Sequence, residues 1–180
     1  MGYRTFSRDL GTPSFLQGSG DWSSEITSCE GTMASEGCFI TSAAMIFKGF
    51  GDNVDPGTML DNLKDNYDGA DCPFLWSTAA SAYAHTWNGK TFGTFDQVKD
   101  DIFDLIYNQG IPVMIHVPNH MIVAKKFYGT LAVDAEGNIF YTQITPSMIY
   151  INDPGSSFNE TLQDVIDDNG SVDYITYYTA

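Results

Sequence analysis

Apolar residues recur at helical spacing up to Gly110 and at strand spacing beyond it. From Cys38 to Gly49 the positions Ile40, Ala43, Ala44 and Phe47 predict a helix that stops at Gly49. Asp55-Pro56, a cap followed by proline at the first helical position, predicts a second helix carrying Met59, Leu60 and Leu63. An alanine-rich stretch opened by Pro73 predicts a third over 73–86. Thr94, the stripe Val98, Ile102, Leu105 and Ile106, and the stop at Gly110 predict a fourth over 94–109.

After Gly110 the segments Ile111–Val117 and Met121–Phe127 are β-like. Leu131–Val133 and Ile139–Thr142 flank Asp134-Ala135-Glu136-Gly137-Asn138 and predict a hairpin. Met148–Ile151 predicts a short strand, Thr161–Asp168 a short helix and Val172–Tyr178 a closing strand. Helices first and an antiparallel sheet second is an α+β order. Residues 1–21, rich in Gly, Ser and Pro, predict a surface arm, and 22–37 an irregular stretch. No repeat, low-complexity tract or linker divides the chain, so 1–180 is expected to be one domain.

A hydrophobic fraction of 43% argues against disorder. No apolar run approaches the ~20 residues that cross a bilayer. The first residues lack the apolar core of a signal peptide, so synthesis in the cytoplasm without one is expected. The net charge of −15 opposes binding to nucleic acid or an anionic membrane. It also opposes anionic cell-wall polymers, for which affinity would have to come from a separate binding domain. The clusters Asp52-Asn53-Val54-Asp55 and Asp65-Asn66-Tyr67-Asp68 do not match a spaced calcium loop, and a helix cap and a solvated turn explain them; no metal or cofactor is expected.

Three cysteines, Cys29, Cys38 and Cys72, leave at least one free thiol. A Cys29–Cys72 bridge would leave Cys38 free, and two buried reduced cysteines are the alternative. Cys38 follows Gly37 and opens a helix, where unpaired N–H groups favour a thiolate. A thiolate beside a histidine is the nucleophile of cysteine enzymes. Of three histidines, His120 in Asn119-His120-Met121 is the candidate acid and base. His116 is its rival, and His85 reads as structural. Asp153 in Asn152-Asp153-Pro154-Gly155 is the candidate orienter of the imidazole, with Asn152 the alternative. The same four residues are also a turn signal. Trp22, Trp76 and Trp87 read as packing residues that could line a cleft.

Four segments in order resemble the papain-like cysteine peptidases related to the bacteriocin-processing, double-glycine leader peptidases. They are Pro13-Ser14-Phe15-Leu16-Gln17 with Asp21-Trp22, then Gly37-Cys38 opening a Ser/Ala-rich helix. Gly110-Ile111-Pro112-Val113 followed by His120, and Tyr150-Ile151-Asn152-Asp153-Pro154, complete the set. The resemblance spans about residues 13–178. It implies a papain-like fold, with N-terminal helices packed on a C-terminal antiparallel sheet. It also implies that Gln17 donates its amide to the oxyanion beside the Cys38 N–H. The chain departs from the family's pattern at Asn119 and Met121 around the histidine, at Phe39-Ile40 after the cysteine, and in an extra hairpin before Asp153.

The expected function is a cysteine peptidase cutting an amide bond. Stand-alone relatives often act on bacterial cell-wall peptides in phage or bacterial lysins. The substrate is thus expected to be a peptide or a peptidoglycan stem peptide, and the cell wall the site of action. A protease trimming a protein or leader peptide is the alternative. A non-catalytic binding domain on the same scaffold is the alternative of another class.

Overall fold

The chain's capping chemistry explains where its main helices begin. A computed structural model describes residues 1–180. The short helix α1 (Met33–Glu36) is capped by Thr32, whose side chain accepts from Ser35 N–H. Helix α2 (Cys38–Phe50) follows directly from Gly37. It runs through Gly49, the expected stop, and ends at Gly51, whose left-handed backbone lets its N–H reach the carbonyls of Lys48 and Phe47. Asp55 and Thr58 form a reciprocal capping box at the start of α3 (Pro56–Asn66). Thr94 and Gln97 do the same for α5 (Phe95–Phe103), which continues as a π-helical turn over Asp104–Gln109.

The Ala-rich segment forms a shorter helix than expected, α4 (Trp76–Ala82). The chain then becomes strand β2 (Thr86–Phe92), where no strand is predicted. The expected N-terminal arm is corrected in a similar way: residues Gly2–Asp9 are strand β1. β3 (Val113–Val117), β4 (His120–Val133), β5 (Ile149–Asn152), α6 (Leu162–Asn169) and β6 (Tyr174–Thr179) complete the elements.

β4 is one 14-residue strand rather than two short ones. β1 pairs along its second half, from Gly2 opposite Val133 to Asp9 opposite Lys126, and holds that half extended. The expected hairpin after Val133 reduces to a turn closed by Asp134 N–H to Asn138 O at 3.0 Å and a single bridge from Val133 to Ile139. Residues Tyr141–Gln143 are 3₁₀-helical, not strand.

The sheet order is β1-β4-β3-β6-β2, with β5 also paired to β4, and every pairing is antiparallel. Helices cover both faces. On one, Ile40, Ala44 and Phe47 of α2 pack with Met114, Met121 and Val123. On the other, Val98, Ile102 and Phe103 of α5 pack with Ile115, Ile122 and Phe127. Alternation along β3 and β4 sorts their residues between the two cores. The arrangement sets the N-terminus of α2 beside the β3–β4 turn.

Candidate active site

Cys38 is the first residue of the 13-residue helix α2. The Thr41 N–H is the first to bond back, to Gly37 O at 2.9 Å. The Cys38 N–H has no carbonyl partner in the protein, so the helix end presents donors and its positive dipole at the thiol. Gly37 is required by close approach: a Cβ there would lie 2.5 Å from Met33 O and 2.9 Å from its sulfur. Cys29 and Cys72 form a disulfide, and Cys38 is the free cysteine, 8% exposed.

His120 opens β4 after the two-residue turn Pro118-Asn119. Asn119 takes φ 60°, and Pro followed by a positive-φ Asn suits a type II turn. The His120 ring nitrogen Nε2 lies 2.5 Å from Asp153 Oδ1. A buried Asp153 would be pushed toward its neutral form, yet the bonds from His120, Asn159 and the Gly155 N–H hold its carboxyl below the usual range. An ionised carboxylate only accepts, so Nε2–H donates. Burial likewise opposes a charged His120, but the hydrogen bond to Asp153 and the nearness of Cys38 prevail and raise it to about 9. With Nε2 committed to Asp153, the other ring nitrogen, Nδ1, is left free for the thiol. At neutral pH the site thus holds an imidazolium paired with a carboxylate.

Asp153 is 4% exposed and well supplied with donors. Its Oδ1 also accepts Gly155 N–H at 2.8 Å, and Oδ2 accepts Asn159 Nδ2 at 2.9 Å. Gly155 lies beside the imidazole. A Cβ there would lie 3.1 Å from His120 Cε1 and 3.4 Å from Nε2.

Gln17 is buried and ties two segments together. Its backbone N–H donates to Pro154 O at 2.8 Å, and its Nε2 donates to Ala34 O at 3.0 Å. The second Nε2 hydrogen remains to be used, while Oε1 is buried without a partner. Trp22 steadies this segment by donating Nε1–H to Leu16 O at 2.8 Å, its ring edge-on to Phe15. Asn152 donates to Thr12 O and Pro13 O at 3.0 and 3.1 Å. It anchors the approach to Gln17 and does not touch His120.

The rival histidines lie elsewhere. His116 Nδ1 pairs with Asp173 at 2.7 Å, and its ring stacks on Tyr174 and Phe39. His85 pairs with Asp52 at 2.5 Å between Phe47 and Phe50. Asp52 and Asp55 are thereby engaged, one with His85 and one in the α3 cap. Trp76 and Trp87 stack on each other with centroids 5.9 Å apart. Gly155 and Asn159 are the contributors that sequence reasoning missed. Gly155 lay within a recognised turn, whereas no local signal marks Asn159.

A cysteine at a helix N-terminus, facing a histidine on an antiparallel sheet, is the arrangement of papain-like thiol hydrolases. The family model for the Peptidase C39-like family matches residues 21–180. The chain therefore belongs to the Peptidase C39-like family, cysteine peptidases and hence hydrolases, related to the bacteriocin-processing peptidases. Among solved structures the fold is similar to a crystal structure from Bacillus anthracis assigned to the C39-like peptidases. That match has a TM-score of 0.51 and 14% identity over 97% of each chain. No curated protein matches the chain.

Proposed function

We propose that this thiol hydrolase is a peptidoglycan endopeptidase or amidase, of the kind that phage endolysins and bacterial lysins use against the cell wall. The observation that carries its chemistry is the 2.5 Å pairing of His120 with Asp153, together with the free Cys38 at the first position of α2. Cys38 attacks the amide carbonyl as the thiolate. The developing oxyanion sits between the Cys38 N–H and the second Nε2 hydrogen of Gln17. His120 passes its proton to the leaving amine, which departs, and an acyl-thioester remains. The now neutral His120 takes a proton from water, which attacks the thioester; the acid is released and the thiolate–imidazolium pair is restored.

The Cys29–Cys72 disulfide supports a site of action outside the reducing cytosol. The surplus of negative charge implies that a separate wall-binding domain or subunit supplies affinity. The test is digestion of purified Gram-positive peptidoglycan by wild type and Cys38→Ala, with mass spectrometry of the released fragments. Release by wild type alone is expected, and the fragments identify the bond. Equal release by both, or none by either, overturns the cell-wall reading. Cleavage of a protein or leader peptide by wild type alone would then favour a trimming protease.

A further inference from the structure

Two clefts open near the candidate site, one bordered by Asp153 and Gly155 and the other by Phe39, and they share no lining residue. The first lies between the 154–158 turn and the segment around Gln17, in two joined sections of about 240 and about 640 Å³. Gly155, which touches the His120 ring, lines the smaller section. The first cleft therefore lies on the His120 side, from which a leaving amine takes its proton.

The second cleft, of about 390 Å³, opens beside Phe39, the residue after the nucleophile. Phe74, Trp76 and Tyr174 wall it. The walls are packed on one another: Phe39 meets Trp76 edge-on at 5.6 Å, and Phe74 meets Trp76 at 5.0 Å. Behind them His116 lies flat on Tyr174 at 4.6 Å, pinned by Asp173. Burial first, then Asp173 and Cys38, push the Tyr174 hydroxyl up.

Three charged side chains line this cleft. Glu36 accepts from the Thr27 hydroxyl and, at 2.9 Å, from Gly31 N–H. Asp71 accepts from Ser28 N–H and Oγ–H at 2.8 and 2.6 Å. Both acids are thus turned toward the 27–31 loop. Lys90 is the exception. Its Nζ lies 4.6 Å from the Tyr174 ring centroid and 5.6 Å from that of Trp76, and it joins no ion pair. An aromatic cleft with one unpaired ammonium suits a group that is apolar in body and anionic at one end.

We propose that this cleft receives the acyl portion of the substrate and selects an apolar side chain next to a free carboxylate, which Lys90 reads. The proposal rests on Cys38 being the nucleophile. Lys90 is then a specificity residue, outside the groups that break the bond.

The experiment compares rates of Cys38 modification by dipeptidyl acyloxymethyl ketones, with iodoacetamide as a reagent that carries no peptide. The two acyl-side positions are scanned with Gly, Leu, Phe, Glu and Lys. Compounds combining Leu or Phe with Glu should react about tenfold faster than the Gly-Gly compound or those with Lys in place of Glu. Lys90→Met should abolish the Glu-over-Lys preference, and Lys90→Glu should invert it by a factor of about five, the scale of a partly exposed ion pair. Iodoacetamide rates should be unchanged in both variants, which shows that the nucleophile is intact. Absence of the apolar-acidic preference in wild type, or its survival in Lys90→Glu, overturns the proposal. Slow iodoacetamide modification of wild-type Cys38 would instead overturn the nucleophile reading on which it rests.

Discussion

Gln17 donates its backbone N–H to the carbonyl of Pro154 across 2.8 Å, and Pro154 directly follows Asp153. The candidate oxyanion donor and the candidate imidazole orienter are therefore fixed to each other. Through Gln17 Nε2 and Ala34 O the same residue reaches the segment that leads to Cys38. The four groups proposed for catalysis come from segments far apart in sequence and are coupled by backbone contacts rather than by side chains alone.

Gln17→Ala should lower kcat about 10²- to 10³-fold, the usual cost of one oxyanion donor, with little change in KM. Steady-state kinetics on a cleaved peptide measure it. An unchanged kcat would remove Gln17 from the oxyanion site.

The pairing of His120 with Asp153 makes stability depend on pH. His120 is raised in the folded state from 6.5 to about 9. A raised histidine contributes stability that is fully present below 6.5 and is lost as pH rises through about 9. Asp153 is depressed from 3.8, so its contribution is present above that value and is lost as the solution becomes more acid. Urea midpoints should therefore fall between pH 6.5 and 9 in the wild type. The fall should be much smaller in Asp153→Asn, which removes the charge that holds the imidazolium.

Asn159→Ala removes one of three donors to the Asp153 carboxylate. The lost bond to a charged acceptor should cost about 1.5–3 kcal/mol of stability at neutral pH. It should also move the acid limb of the activity profile to higher pH, because Asp153 with one donor fewer takes up a proton more readily. A purely structural role would lower the melting temperature and leave the pH profile in place.

The Cys29–Cys72 bridge closes a loop with a sequence separation of 43, and Cys72 lines the aromatic cleft. The double variant Cys29→Ala/Cys72→Ala should lose about 2–4 kcal/mol of stability, measured by urea unfolding. Its loosened cleft wall should weaken acyl-side selectivity more than it slows iodoacetamide alkylation.

Much of this was legible in residue order. Caps and apolar stripes locate α2, α3 and α5 because each helix buries one face and needs a partner for its first N–H groups. β1 and β2 were not legible. Phe6 is the sole buried residue of β1, and none of β2 is fully buried, so neither outer strand alternates in hydrophobicity. Their existence depends on pairing with β4 and β6, which local pattern does not encode. At the site, Gly37-Cys38, His120 and Asn152-Asp153 stand out by residue type and order. The division of labour between Asn152 and Asp153 does not, because it depends on which neighbour faces the 12–13 backbone. Asn159 reaches Asp153 only after the 153–159 loop closes on itself.

Cys38 reactivity tests the proposed chemistry most directly: the rate of its alkylation by iodoacetamide at neutral pH, in wild type and His120→Ala, with the disulfide left intact and peptide mapping of the product. Rapid modification of Cys38 in the wild type and a loss of at least about tenfold in His120→Ala are expected. Slow modification of Cys38, equal in wild type and His120→Ala, would contradict the pairing of thiol and imidazole and with it the proposed chemistry.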